Sequence, residues 1–325
     1  MPRKANRRLP RIVRIYQRGN TKLVDLSFSF NLYLTDRQGI LYEKAISSES
    51  YNKNVQLPLS RVKELIPLLW RGIHVGKTRP ITLIDLGPAA LEEATQHINL
   101  FKSNCDLSKY IVVDINEMLL ERVADRLSIK YPGIISEICE QFENVTRDSI
   151  GIIPNSTAIF LIGSTAMNYQ IPNLAKIMNK MAAPGDFFAI TIILHNRRHL
   201  TSELTHDYES AHIDDFTFAP LKLIGGEKKD YKYIAFWNND RVEFRFRAIR
   251  NSTLAHPKLK IIKPGDTFIT GFSRRPSISK HLSDLELLFD VHRTIINEER
   301  IVTSLGRIRM GGSKKWAPDL TQKLF

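Results

Sequence analysis

Cysteine is nearly absent: Cys105 and Cys139 are the only two in 325 residues. Their spacing fits neither a disulfide framework nor a zinc site, so a reducing, cytoplasmic setting is expected. No apolar run approaches the roughly 18 residues needed to cross a bilayer, and no apolar core follows the basic start as it does in a secretory signal. No membrane partner is therefore expected, while a mitochondrial or nuclear address stays open. GxGxxG is missing, as is the Gly-Lys-Ser/Thr that would cradle a triphosphate. No HExxH accompanies His195, His199, His206 and His212, which share a polar segment with Asp207, Asp214 and Asp215. That segment reads as solvated surface, and no metal is expected. Internal repeats and low-complexity segments are absent too.

Acid is scarce at the start of the chain. Arg3, Lys4, Arg7, Arg8, Arg11, Arg14 and Arg18 precede any carboxylate, and removing these seven from the net charge of +13 leaves +6 for the rest. Residues 1–20 read as a basic arm, either a solvated tail or a patch for nucleic acid or another polyanion.

Against those absences stands the stretch from Ile81 to Asp114. Ile81-Thr-Leu-Ile-Asp-Leu86 is a short apolar run between Pro80 and Gly87, the pattern of a strand buried on both faces. Gly87 permits a tight turn, Leu91, Ala94, Ile98 and Phe101 follow at helical spacing, and Tyr110-Ile-Val-Val113 ends in Asp114. Strand, glycine turn, helix, then strand with a terminal acid is the opening unit of a dinucleotide-type fold, where ribose hydroxyls reach that acid. A single glycine suits a cofactor with no pyrophosphate to crowd the turn, such as S-adenosyl-L-methionine. A buried βαβ unit without a ligand is the alternative.

The alternation continues. Asn116 is a plausible N-cap for a helix that Tyr131-Pro-Gly133 stops. Strands are expected at 134–139, 157–162 and 187–194, a helix carries Leu174, Ile177, Met178 and Met181, and a further helix covers 59–70. This pace implies a parallel sheet with helices on both faces and ligands outside the carboxyl ends of its strands. Asp36-Arg-Gln-Gly39 reads as a turn. In Arg241-Val-Glu-Phe-Arg-Phe-Arg-Ala248, the apolar residues share one face and Glu243, Arg245 and Arg247 the other, which predicts a half-solvated antiparallel sheet with neighbours at 231–237 and 258–273. A closing helix is expected at 282–288, and a final strand pair at 300–310.

Asp36-Arg-Gln-Gly39 with Leu41-Tyr-Glu43, Glu49-Ser-Tyr51, Leu86-Gly87, Val113-Asp114, Tyr131-Pro-Gly133 and Phe142-Glu143 occur in order. They are joined by Phe160-Leu-Ile-Gly-Ser-Thr165 with Asn168, Pro184-Gly-Asp186, Tyr208, and Gly265-Asp266 through Ser273. On these motifs the chain resembles, over nearly its whole length, the histidine-specific N-methyltransferases of ergothioneine biosynthesis. That family also includes fungal methyltransferases acting on amino-acid-derived alkaloid precursors.

The resemblance implies an α/β, Rossmann-like class I methyltransferase core at 56–200 and 282–325. A second α+β substrate-binding domain, at 21–55 and 201–281, would act as a lid. Gly87 and Gly163 would approach S-adenosyl-L-methionine, Asp114 would accept its ribose hydroxyls, and Gln141 and Phe142 would flank adenine. Tyr51, Asn168, Tyr208 and Ser273 would hold the substrate, with Asn168 and Tyr208 orienting its amine and S-adenosyl-L-homocysteine leaving as product.

Departures matter as much. The second glycine and the lysine of the first turn are Ala89 and Glu93 here, the acid before the adenine-flanking phenylalanine is Gln141, and the tyrosine before Tyr51 is Ser50. The glutamate used on the imidazole falls at Gly271. A site that has lost its charged partner loses the reason to select histidine. The expected activity is therefore methylation of another amino acid or small amine; the alternative is a degenerate methyltransferase fold that uses its basic arm to bind nucleic acid or a protein.

Overall fold

The computed structural model describes residues 10, 12–27, 29–33, 35–46, 79–88, 91–195, 201–206, 208–209, 211–286, 289–297 and 301–308. The helix expected at 59–70, Tyr51 and the tail from 311 lie outside these residues. The chain divides into two compact units, Met1–Ser48 with His199–Ser273 and Glu49–Arg198 with Arg274–Phe325.

The smaller unit opens with β1 (Arg14–Arg18), β2 (Thr21–Asp25) and α1 (Asp36–Ile46). The end of the expected arm is thus an edge strand, antiparallel to β2 with Arg14 opposite Asp25. Its residues stay exposed, and a charged strand discourages further pairing at a sheet edge. Asp36-Arg-Gln-Gly39 is helix rather than the expected turn. Thr35 Oγ1 accepts the Gln38 N–H at 3.3 Å, and this Thr-x-x-Gln spacing outweighs the glycine that suggested a turn.

The larger unit then runs β3 (Ile81–Leu86), α2 (Leu91–Asn104), β4 (Leu107–Asp114), α3 (Glu117–Lys130) and β5 (Ile135–Cys139). After the single turn α4 (Arg147–Ile150) come β6 (Thr157–Ile162), α5 (Ile171–Met181) and β7 (Phe187–Ile193). All six residues of β3 are buried, as an interior parallel strand requires. Asn116 caps α3 by accepting the Leu119 N–H at 3.1 Å, an interaction worth about 1 kcal/mol.

The smaller unit resumes with α6 (Thr201–His206), α7 (Ala211–Leu223), β8 (Tyr231–Asn238) and β9 (Arg241–Ala248). The short pair β10 (Ser252–Thr253) and β11 (Ile261–Ile262) precedes β12 (Thr267–Arg274). Five strands form one sheet in the order β1-β2-β12-β9-β8. It is mixed rather than antiparallel throughout, because β12 runs parallel to β2. Val24, Leu26, Phe218, Leu221, Phe246 and Phe268 pack one face.

The face expected to be solvated holds a second correction: Glu243 is fully buried. Arg241 and Arg245 reach its two oxygens at 2.5 and 2.6 Å, and their guanidinium groups lie over Phe272 and Phe236. Burial alone would raise its pKa, but the hydrogen bonds from Asn238 and Arg245 and the charge of Arg241 win, and the carboxyl is held low. Alternation identified the polar face; arginines able to stack on aromatics and bond a carboxylate let it be buried.

The larger unit closes with α8 (Ile278–Glu286), β13 (Phe289–Asn297) and β14 (Ile301–Ile308). The final strand pair therefore begins eleven residues before the expected 300, because β13 mixes charged with apolar residues and lacks the buried-strand pattern. Its sheet has the order β13-β14-β7-β6-β3-β4-β5. Pairs among β3 to β7 are parallel, and β14 runs antiparallel between β7 and β13. Successive residues of β3 feed opposite faces: Leu83 packs with Ala94, Ile98 and Phe101, whereas Ile84 packs with Leu174 and Met178. This is a Rossmann-like α/β core. Its strand order reverses between β3 and β6, where such folds open a crevice for ligands.

Candidate active site

Gly87 ends β3 with φ +72 and hydrogen-bonds Val113 O at 2.9 Å, tying the turn to the end of β4. A Cβ there would lie 2.5 Å from Thr165 Oγ1, so both the backbone conformation and the space demand glycine. Thr165, the last residue of the Phe160-Leu-Ile-Gly-Ser-Thr165 motif, to which sequence reasoning gave no role of its own, donates to Gly87 O at 3.3 Å and joins the end of β6 to that of β3.

Asp114 terminates β4. Its Oδ1 accepts the Asn116 N–H at 2.8 Å, which fixes the carboxyl at the strand tip. Burial pushes it up to about 6, with Asp85 adding to the rise and the N–H groups of Asn116 and Ile115 opposing it. It is therefore an anion at neutral pH with acceptor capacity beyond the one bond, which suits a pair of vicinal hydroxyls.

Beneath Gly87 lies a buried polar cluster that the sequence reading missed. Asp85 accepts from Tyr110 Oη at 2.5 Å and meets His97 Nδ1 at 3.2 Å. Burial alone would lower the His97 pKa, but the hydrogen bond and charge of Asp85 outweigh it and the imidazole is pushed up. Burial first, then Asp85, hold the Tyr110 phenol well above its ordinary value. The cluster stiffens the strand that carries Gly87. An acid two residues before the turn, inside an apolar strand, was the available signal.

Gln141 and Phe142 follow β5, which is tied to β4 by Glu140 N–H to Asp114 O at 3.0 Å. Phe142 is buried and stacks on Tyr169, with centroids 6.3 Å apart and planes at 27°. The backbone at Tyr169 is held by Arg274 Nη1, which donates to its carbonyl at 3.3 Å. Gly163 leaves β6 into a 3-10 turn, Ser164–Asn168, that ends at the half-buried Asn168. The structure thus brings Gly87, Asp114, Gln141, Phe142, Gly163 and Asn168 to the carboxyl ends of β3 to β6. Tyr51 lies outside the described residues.

In the smaller unit Tyr208 is buried and donates to Ser273 Oγ at 2.8 Å. Its ring lies 5.3 Å from that of Phe244, and its carbonyl accepts from Tyr233 Oη at 2.9 Å. A Cβ on Gly271 would lie 2.9 Å from Leu32 and 3.0 Å from Phe244. Apolar side chains occupy the space into which a larger residue would project. Among the described residues no group of three or more His, Cys, Asp or Glu could hold a metal, and no helix is long and apolar enough to cross a membrane.

An acid at the tip of the second core strand, a glycine turn with no room for a side chain and a buried aromatic wall fit S-adenosyl-L-methionine. The fold and these groups belong to an S-adenosylmethionine-dependent methyltransferase. Residues 73–283, well over half of the chain, match the histidine-specific, SAM-dependent methyltransferases, and the chain belongs to that family.

No curated protein matches it in sequence. Among solved structures, the PH0226 protein of Pyrococcus horikoshii is 13% identical, with 85% of this chain and 100% of that one covered and a TM-score of 0.45. The 1,6-didemethyltoxoflavin-N1-methyltransferase of Burkholderia thailandensis, with its namesake ligand and S-adenosylhomocysteine bound, is 9% identical, at 84% and 89% coverage and a TM-score of 0.43. The geranyl diphosphate C-methyltransferase of Streptomyces coelicolor is 10% identical, at 82% and 87% coverage and a TM-score of 0.43.

Proposed function

We propose that this methyltransferase acts on the nitrogen of an amino acid, or of a small amine derived from one, and that histidine is not its substrate. The observation that carries the second clause is the packing at Gly271. A glutamate there would have to displace Leu32 and Phe244, so the charged partner that selects an imidazole has neither a side chain nor a space. A buried site without a partner for the ring nitrogens discriminates against a group that must bring them. Loss of that selectivity suits a role in specialised-metabolite biosynthesis.

The cofactor supplies an electrophilic methyl on a sulfonium, and the chain's own residues position the acceptor. By the resemblance, Asn168 and Tyr208 are assigned to orient the amine, and Ser273, which accepts a hydrogen bond from the Tyr208 hydroxyl, to contribute to holding the substrate. Methyl transfer is an in-line displacement, so the nitrogen lone pair must face the methyl at about 3 Å. No strong base is required if the amine arrives neutral. Its proton leaves to solvent after the N–C bond forms and the C–S bond breaks.

Asn168→Ala is expected to leave cofactor affinity within about twofold and to cost about tenfold or more in kcat/KM for the amine, the loss of one oriented hydrogen bond. Calorimetry with S-adenosylhomocysteine and steady-state kinetics read the two effects separately. Incubation with labelled cofactor and a panel of amino acids, followed by mass spectrometry, identifies the acceptor. Turnover of histidine ahead of the rest of the panel, or equal loss of cofactor and amine binding in the variant, refutes the reading.

A further inference from the structure

Glu93 stands in the first turn of α2, directly after the Gly87 turn. A carboxylate near a helix N-terminus has an ordinary explanation in the helix dipole. The adjacent Glu92 meets that description fully, being exposed, whereas Glu93 is half-buried. Four residues further along the same helix face is His97, which grips Asp85 beneath Gly87. Electrostatically, Glu93 is felt at both His97 and Tyr110, so its charge faces the sheet and not only solvent.

The direction of the carboxylate is given by Gly163. A Cβ on that glycine would lie 3.5 Å from Glu93 Oε1. The carboxylate of Glu93 therefore reaches across to the end of β6, beside the switch point where Gly87 ends β3. A bound S-adenosylmethionine brings two charges on its amino-acid end, a carboxylate and an ammonium. Only the ammonium can donate to Glu93; a carboxylate there would be repelled. The resemblance expects lysine at this position, whose natural partner is the opposite end of the same zwitterion.

We propose that Glu93 binds the α-ammonium of the cofactor, so that this chain recognises the amino-acid end of S-adenosylmethionine through its positive rather than its negative group.

Calorimetry on the whole protein without acceptor tests this, using S-adenosylhomocysteine, which has the ammonium, and 5′-methylthioadenosine, which lacks the entire amino-acid end. Glu93→Gln keeps the shape and removes the charge. It is expected to weaken S-adenosylhomocysteine by about tenfold or more while leaving 5′-methylthioadenosine within about twofold, as loss of one charge-assisted hydrogen bond predicts. Glu93→Asp, which retracts the charge by one methylene, falls between, and a melting midpoint near that of the parent shows that both variants are folded. Should Glu93→Gln fail to fold, the Glu93→Asp pair of affinities decides alone. Unchanged affinity for S-adenosylhomocysteine overturns the proposal, and so does an equal loss for both ligands, which would mean that the substitution had disturbed the Gly87 turn.

Discussion

Asp114→Ala is expected to lower affinity for S-adenosylhomocysteine at least a hundredfold, to below what calorimetry detects. The resemblance assigns both ribose hydroxyls to this carboxylate, and two hydroxyl hydrogen bonds to an ionised carboxylate would contribute about 3 kcal/mol or more together, which alanine would remove. The same residue predicts a pH response. Because burial holds the carboxyl up at about 6, affinity is expected to be flat above about pH 7 and to fall as the acid protonates below its pKa. Asp114→Asn should abolish that dependence along with most of the binding.

The apoprotein responds in the opposite sense. The folded value lies above the ordinary 3.8, so the stability linked to this group is fully present below 3.8 and lost as pH rises through about 6. Opposite slopes for ligand affinity and apoprotein melting, both lost on substitution, are the expected pair of results. Near-parental affinity in Asp114→Ala would remove Asp114 from the cofactor site.

Gly306→Ala is expected to produce a large loss of stability without touching that site. Gly306 lies in β14 opposite Phe188 of β7. Its added methyl would come within 2.3 Å of the Phe188 ring and 2.9 Å of the Asp290 carbonyl. Neither neighbour gives way easily. Phe188 is fully buried against Phe289, with ring centroids 3.9 Å apart, and the carbonyl belongs to the backbone of β13. Overpacking of this kind costs about 1–3 kcal/mol, a few degrees or more in melting midpoint for a domain of this size. Urea titration measures it, and an unchanged midpoint would mean that the Phe188 ring has a second place to go.

What could be read from the sequence was set by whether neighbours in space were also neighbours in pattern. The strand Ile81–Leu86, the Asn116 cap and the parallel core were legible because burial on both faces and helix capping write themselves into consecutive residues. β13 was not, since its charges interrupt any run, and Glu243 was misplaced because period two gives a residue's face but not what covers it. In the site, the Gly87 turn and the terminal Asp114 were legible from local order. The Asp85, His97 and Tyr110 cluster was not, because its members lie 12 and 25 positions apart and only the β3–β4 register and the packing of α2 on the sheet bring them together. Tyr208 and Ser273, 65 positions apart, carry no periodic signal; they came from resemblance, and their hydrogen bond from the fold.

The strand pairing has a consequence for how the chain reaches this state. In the smaller unit β2 meets β12, where the Lys22 N–H bonds Asp266 across 244 positions, and in the larger unit β7 waits for β14 to cover its outer edge. Neither sheet can finish while the polypeptide is still short. Acquisition of structure should therefore be slow and late during synthesis, leaving unpaired edges exposed and making nascent molecules clients for chaperones.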